Sequence, residues 1–436
     1  MRFGFAALST LCLFIATAPA AMANPTQETS QSLAHQVQMD TQSRVPTTIA
    51  GVNTTKLHAG VKSVMEEAIA NADIPGGVVC IIRGSETLLL EAYGNRSLIP
   101  TTAPATLDTI YDLASLTKSL ATGCAIMKLV EDGKVRLIDP INKYLPEWKN
   151  PEGRTFEKEL DHETITVRHL LTHTAGLQPF IRYDALFEPG KDARQKIIDD
   201  IIQRDLEAPI GSRFIYSDLG FILLGEIVER VSGQSLSDYC KENLYDPLGL
   251  QDTMFCPDDS LLPRIAPTEV YPAKAPNEAP TVIHGEVHDE NARLQLGVSG
   301  HAGLFSTASD VATFCRMLLN GGASPHTANR IFSPVTVETM TQVDKNIRNG
   351  DHGRGLGWDV SSPYTGQKGD LFTSGYGHTG FTGTSIWIVP EEKIAIVILT
   401  NRVHPNRDGN SAPLRAKIAN ITAASIITSY KTNNQE

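Results

Sequence analysis

After its first residues the sequence contains no apolar run approaching the ~18 residues that cross a bilayer, so no spanning segment is expected there. It also lacks a basic excess. Its 38 lysines and arginines face 49 aspartates and glutamates, a formal net charge of −11 over 436 residues, so it offers no general positive field to a nucleic-acid backbone or to acidic lipids. A Gly-x-Ser-x-Gly elbow, a Gly-x-x-x-x-Gly-Lys loop, His-Glu-x-x-His and Cys-x-x-Cys are all missing, which removes the commonest lipase, nucleotide and zinc signatures. Cysteine is sparse. Apart from Cys12 the chain has only Cys80, Cys124, Cys240, Cys256 and Cys315, an odd and widely spaced set that excludes a disulfide scaffold.

What is present is ordinary globular usage, with 41% hydrophobic and 20% charged residues. Arg2, the apolar stretch Phe3 to Ala16 and the small-residue site Ala21-Met22-Ala23 read as a secretory signal peptide over residues 1–23, which predicts a periplasmic or secreted protein. No lipobox-like cysteine follows, so no membrane anchor is expected. Residues 24–52 are polar and aperiodic, the pattern of a flexible leader. Apolar spacing then predicts a helix over Lys56–Ala72, strands over Gly77–Ile82 and Thr87–Ala92 around Arg83-Gly84-Ser85, and mainly helical structure from Ser115 to about Leu319. Strand signal returns at Thr384–Val389 and Lys393–Leu399, before a last helix from about Ala412 to Tyr430. Strands at both ends predict an α+β fold in which 53–112 and 352–436 build one antiparallel sheet and 113–351 is a mainly helical insert.

Three elements carry chemistry. Ser115-Leu116-Thr117-Lys118 opens a helical pattern that stops at Asp132-Gly133, so the serine and the lysine lie one turn apart on the same face. A serine hydroxyl needs a neighbouring base before it can attack, and a helix N-terminus offers N–H groups to a developing oxyanion. The plain alternative is a helix-capping serine beside a solvated lysine. Tyr216-Ser217-Asp218 precedes the amphipathic run Leu219–Val231, where the tyrosine is either a proton relay beside a lysine or a packed aromatic next to a cap. Tyr93-Gly94-Asn95 has the same form but sits at a strand end, where a turn explains it. The third element, His378-Thr379-Gly380-Phe381, reads by itself as a turn.

In this order the elements resemble the serine β-lactamase and penicillin-binding protein superfamily in its class C-like branch, over about residues 56–430. Thr166 through Leu177, Ser217 through Gly233 and Gly355-Leu356-Gly357-Trp358 match as well. The resemblance implies a β-lactamase/DD-peptidase-like fold, Ser115 as nucleophile, Lys118 and Tyr216 sharing the proton traffic, and an acyl-enzyme. It also implies an oxyanion hole from the N–H groups of Ser115 and Phe381, a substrate strand at His378, Thr379 and Gly380, and no cofactor or metal. The sequence departs from the family twice. His378 stands in place of a lysine and Asp218 in place of an asparagine, and a neutral imidazole and a carboxylate both suit anionic β-lactams poorly.

A narrower resemblance, through Val287-His288-Asp289-Glu290-Asn291-Ala292, Gly297 through Ser306 and Thr400 through Pro405, is to a subgroup of exported muramoyl-L-alanine amidases and weak penicillin-binding carboxypeptidases. It implies a small-molecule or peptide substrate derived from the cell wall, with Arg402 or Asn406 near a substrate carboxylate and His288 and His301 at the cleft rim. For Arg402 a surface salt bridge is the equal alternative. The cluster His284, Glu286, His288 and Asp289, of which strand alternation would place the first three on one face, is a weak metal pattern that the expected chemistry does not need, with a turn cap as the alternative for Asp289. The functions in contention are an amidase or carboxypeptidase, a promiscuous esterase or β-lactamase, and a catalytically silent cell-wall-binding protein. The oligomeric state is not legible.

Overall fold

Gly76–Arg83 and Ile394–Thr400 are almost uninterrupted apolar runs, and such strands persist only where both faces of a sheet are covered. The computed structural model, which describes residues 48–148, 165–273, 278–345, 353–362 and 365–430, has them as central neighbours. The expected signal peptide and most of the leader lie outside the described residues. Within the last leader residues, β1 (Thr48–Ile49) and β2 (Val52–Asn53) form a short antiparallel ribbon. Among the described residues no helix is long and apolar enough to cross a membrane.

The main sheet joins the two ends of the chain. Its first strands are β3 (Gly76–Arg83), β4 (Glu86–Ser97) and β5 (Ala103–Pro104). Short pairs follow along the chain: β6 (Tyr111–Asp112), β7 (Met254–Phe255) and β10 (Leu304–Ser306) form one small sheet, and β8 (Val270–Tyr271) and β9 (Thr281–Val282) another. With β11 (Tyr376–Thr379), β12 (Ser385–Val389) and β13 (Ile394–Thr400), the spatial order of the main sheet is β11-β12-β13-β3-β4-β5, antiparallel throughout. The expected antiparallel sheet and α+β class are therefore present.

Period-two alternation sorts the side chains. Val79, Ile81, Ile396 and Ile398 pack under the helices Thr54–Ala70 and Ala412–Ala424. Val78, Cys80, Ile82, Val397 and Leu399 point the other way, into a larger core shared with the helices Cys124–Glu131, Asp218–Ser232 and Ala308–Leu319. The site forms along β11, on the side of this larger core.

Candidate active site

Ser115 follows a constrained turn. Asp112, at the end of β6, is buried, and its carboxylate accepts the backbone N–H of Ala114 at 2.8 Å and of His288 at 2.7 Å. Burial raises its pKa against the pull of those donors. Ala114 takes a left-handed φ of 47°, a strain that the surrounding bonds hold in place and that sets up the turn into Ser115. The helix then passes through a π-helical turn, Lys118–Gly123, before regular α-helix resumes at Cys124. Ser119 and Thr122 tie that turn down by donating to the carbonyls of Gly357 at 2.6 Å and Gly300 at 2.7 Å.

Lys118 is fully buried, which overturns the solvated alternative. Its Nζ donates to Ser115 Oγ at 3.0 Å and to the His301 carbonyl at 3.0 Å, and lies 2.7 Å from Asp218 Oδ1. It is also hydrogen-bonded to Tyr216, with the ring centroid 5.1 Å away. Burial works against the charge, but Asp218 and then Tyr216 outweigh it, so the ammonium is held above its ordinary pKa. The carboxylate in place of an amide thus neutralises Lys118 rather than facing the cleft as a free negative charge.

Tyr216 and Asp218 reach this point because Ser217 caps the Asp218–Ser232 helix, its side chain accepting from Gly220 N–H at 3.3 Å. Capping and chemistry coexist at this tripeptide. Behind the tyrosine ring, at 4.4 Å, lies His173, itself at φ 58°, with its Nδ1 accepting Ser217 N–H at 3.0 Å. Burial, and then the charges of Arg354 and Lys118, hold His173 well below 6.5 and therefore neutral.

His378-Thr379-Gly380-Phe381 is not a turn throughout, as local sequence suggested. His378 and Thr379 end β11, in register with Ile386 and Ser385, and the turn begins only at Gly380. Pairing with β12 overrides the turn signal of Thr and Gly. A Cβ at Gly380 would lie 2.1 Å from Thr384 Oγ1 and 2.5 Å from the Leu113 carbonyl, so only glycine fits. Thr382 and Thr384 donate to the carbonyls of Asp112 at 2.8 Å and Leu113 at 3.0 Å, clamping the strand turn onto the serine turn. The backbone N–H groups of Ser115 and Phe381 have no protein acceptor among the described residues. His378 is buried, its Nδ1–H donates to the Thr379 carbonyl at 2.9 Å, and burial followed by Arg354 and Lys118 keeps it neutral.

These groups open into a cleft of about 500 Å³ whose walls include Ser115, Tyr216, His378 through Phe381, and three arginines, Arg354, Arg402 and Arg415. Arg354 is paired with buried Asp359 at 3.4 Å. Arg402 donates to the carbonyls of Arg407 and Gly409 and lies 4.6 Å above the half-exposed Phe381 ring. Arg415 donates to the carbonyls of Gly380 and Thr384, and burial lowers its pKa to about 10. Among the described residues Arg402 and Arg415 make no ion pair, so the surface salt bridge weighed for Arg402 is not formed.

The structure thus brings together Ser115, Lys118, Tyr216, Asp218, His378, Thr379, Gly380, Phe381 and Arg402. Two expected residues lie elsewhere. His301 is 1% exposed, beneath Lys118 rather than at a rim, because its ring is held by Asp289 at 2.7 Å and Ser299 at 2.9 Å. Asn406 is exposed outside the cleft lining, its side chain accepting Asp408 N–H at 3.1 Å. His288, also placed at the rim, stacks on Phe381 at 5.8 Å but is buried and bound to Glu269. His284 bonds the Ile265 carbonyl instead of joining His288. Sequence reading missed His173, Arg354, Asp359 and Arg415, and read Asp289 only as a metal-cluster member or a cap, the second of which it is, at the start of Glu290–Leu294. His173 and Asp289 stood inside quoted motifs, while Arg415 looks like any arginine on an amphipathic helix.

A cleft-lining serine and tyrosine hydrogen-bonded to a buried lysine at a sheet edge define a serine hydrolase of the β-lactamase type. The chain belongs to the Beta-lactamase family, whose model matches residues 61–421. A relative from Escherichia coli O157:H7, provisionally named a D-alanyl-D-alanine carboxypeptidase, is 35% identical over 382 residues, covering 81% of this chain and 84% of its own length. One of the same name from Salmonella agona is 34% identical, covering 77% and 80%. Among solved structures, the octameric penicillin-binding protein homologue from Pyrococcus abyssi superposes with TM-score 0.62 at 26% identity, covering 83% of this chain and 76% of its own. EstCE1, a hydrolase with promiscuous acyltransferase activity, shares the fold at TM-score 0.66 and 23% identity, covering 85% and 99%.

Proposed function

We propose that this hydrolase is exported and cleaves an amide bond in peptidoglycan-derived peptides through an acyl-enzyme on Ser115. The observation that carries the reading is the Lys118 Nζ to Ser115 Oγ contact of 3.0 Å at the floor of an arginine-walled cleft. Ser115 Oγ attacks the carbonyl carbon, and its proton enters the network of Lys118 and Tyr216. The N–H groups of Ser115 and Phe381 take the developing oxyanion. The amine leaves with a proton, and water then hydrolyses the ester to regenerate the serine. Unpaired cationic side chains at Arg402 and Arg415 suit a substrate carrying a carboxylate, as peptide fragments with a free C-terminus do. The curated relatives named as D-alanyl-D-alanine carboxypeptidases support a peptide of this class.

The test is incubation with purified muropeptides, short-chain esters and a labelled penicillin, beside Ser115→Ala. Muropeptide turnover is expected for the native chain, together with loss of at least about a thousandfold and of all covalent labelling in the variant. Turnover of esters alone would leave the machinery standing and remove the cell-wall reading. Full activity in Ser115→Ala would remove the nucleophile.

A further inference from the structure

The segments Val287–Ala292 and Ser299–Gly303 belong to no catalytic element, yet both converge on Lys118. His301 gives its carbonyl to Lys118 Nζ at 3.0 Å, while its imidazole bridges Ser299 Oγ at 2.9 Å and Asp289 Oδ1 at 2.7 Å. Asp289 is fixed from the other side by the Ala292 N–H at 2.8 Å, the cap of the short helix Glu290–Leu294. Side-chain ligand atoms of Asp218, Asp289 and His301 all lie within 4.8 Å of one another. Asp218 pairs with the Lys118 ammonium at 2.7 Å and Asp289 bonds the His301 imidazole at 2.7 Å, so the two carboxylates, the imidazole and the ammonium form one electrostatic cluster.

Counting hydrogens sharpens the point. The His301 carbonyl and the Asp218 carboxylate can only accept, so they consume two N–H groups of Lys118. The one remaining position faces the Ser115 and Tyr216 hydroxyls, and it is an N–H if the side chain is an ammonium and a lone pair if it is an amine. That single position decides whether the lysine donates to the serine or takes its proton.

We propose that Asp289, held by His301, is a positioning residue for Lys118: together with Asp218 it forms a two-carboxylate cage that keeps Lys118 an ammonium donating to Ser115 in the free enzyme. The other charged or titratable groups facing Lys118 are Tyr216 on the turn before the Asp218–Ser232 helix, His173 on the preceding loop and His378 on β11. The two histidines are neutral, and Arg354 lies beyond the Tyr216 ring and is itself paired. The cage is therefore the only pair of carboxylates among the described residues set against this lysine. Burial would raise the pKa of Asp289, but His301 and, more weakly, Lys118 hold it far below the ordinary carboxylate range, so both walls of the cage are anionic at neutral pH.

The experiment reads the lysine directly, so its outcome does not depend on the substrate proposed above. Lysine-selective ¹³Cε labelling, with the Lys118 resonance assigned by Lys118→Arg, is followed against pH in the full chain, in Asp289→Asn and in Asp289→Glu. Asparagine can still accept from Ala292 and His301, so the cap survives while the charge goes. The Lys118 transition is expected to fall by about one to two pH units in Asp289→Asn and to return to within about half a unit of native in Asp289→Glu. The basic limb of Ser115 acylation by p-nitrophenyl acetate should move with it. Should Asp289→Asn fail to fold, His301→Gln keeps the backbone carbonyl on Lys118 while releasing the carboxylate, and a fall of about half a unit is expected. An amine resonance for Lys118 at pH 7 in the native chain, or an unmoved transition in the variants, overturns the proposal. Absence of acylation with the NMR shift intact would instead count against the catalytic reading.

Discussion

Two substituted residues alter what the family machinery would otherwise do. An asparagine beside the lysine would offer only a dipole at this position, whereas Asp218 supplies a full countercharge at 2.7 Å. A lysine in place of His378 would add a positive charge beside Tyr216, whereas the buried imidazole adds none. Positive charge for a substrate must then come from the arginines. Arg402 is the one to test, because it lines the cleft and, among the described residues, makes no ion pair that its removal would orphan. For Arg402→Ala, KM for a peptide ending in a free carboxylate should rise about tenfold, the worth of one charge-assisted hydrogen bond of ~1.4 kcal/mol, with little change for a neutral ester. Equal losses on both substrates would show that Arg402 supports Phe381 rather than binding an acid.

At the scale of elements, the sheet is held where its two ends meet the rest of the chain. Arg83, at the end of β3, is 1% exposed, and it donates to the carbonyls of Ala50 at 2.8 Å and Thr428 at 3.0 Å while pairing with Glu392 at 2.5 Å. One guanidinium thereby joins the β1–β2 ribbon, the β12–β13 turn and the segment after the last helix. Arg83→Ala should cost about 3 kcal/mol in urea unfolding, because it leaves Glu392 and two carbonyls without their donor, while active-site acylation at saturating reagent stays within about twofold. The strands on either side were legible because period-two alternation and the Arg83-Gly84-Ser85 turn are local signals, and Ser115 and Lys118 because one helical turn places them together. β11 was not, since Tyr376-Gly377-His378-Thr379 has little strand propensity and depends on its partner β12. Nor were Arg354 and Arg415, whose meaning lies in contacts that no local pattern encodes.

For the whole molecule, the site forms where the helix starts that carry Ser115, Lys118 and Tyr216 meet the β11 end that carries His378 through Phe381. Two neutral histidines lie beside the Tyr216 ring, His173 at 4.4 Å and His378 at 6.0 Å between centroids. Both are held well below 6.5 by burial and by nearby cations. The sign follows from linkage. With the folded pKa depressed, the unfolded chain takes up a proton first, so the stabilisation each histidine contributes is full above about pH 6.5 and is lost as pH falls from there toward the folded value. Between pH 7.5 and 5.5 each should withdraw up to about 1.4 kcal/mol of stability. Asp112 and Asp310, whose carboxyl pKa values are raised by burial, contribute with the opposite sign, so the net slope of the native chain mixes both. The difference between variants does not. In His378→Gln, urea midpoints at the two pH values should draw together by about 1.4 kcal/mol relative to native, and His173→Gln should act similarly. If instead His378→Gln leaves the pH dependence untouched, the imidazole is already exposed to protons in the native state, and the packing around Tyr216 does not seal it.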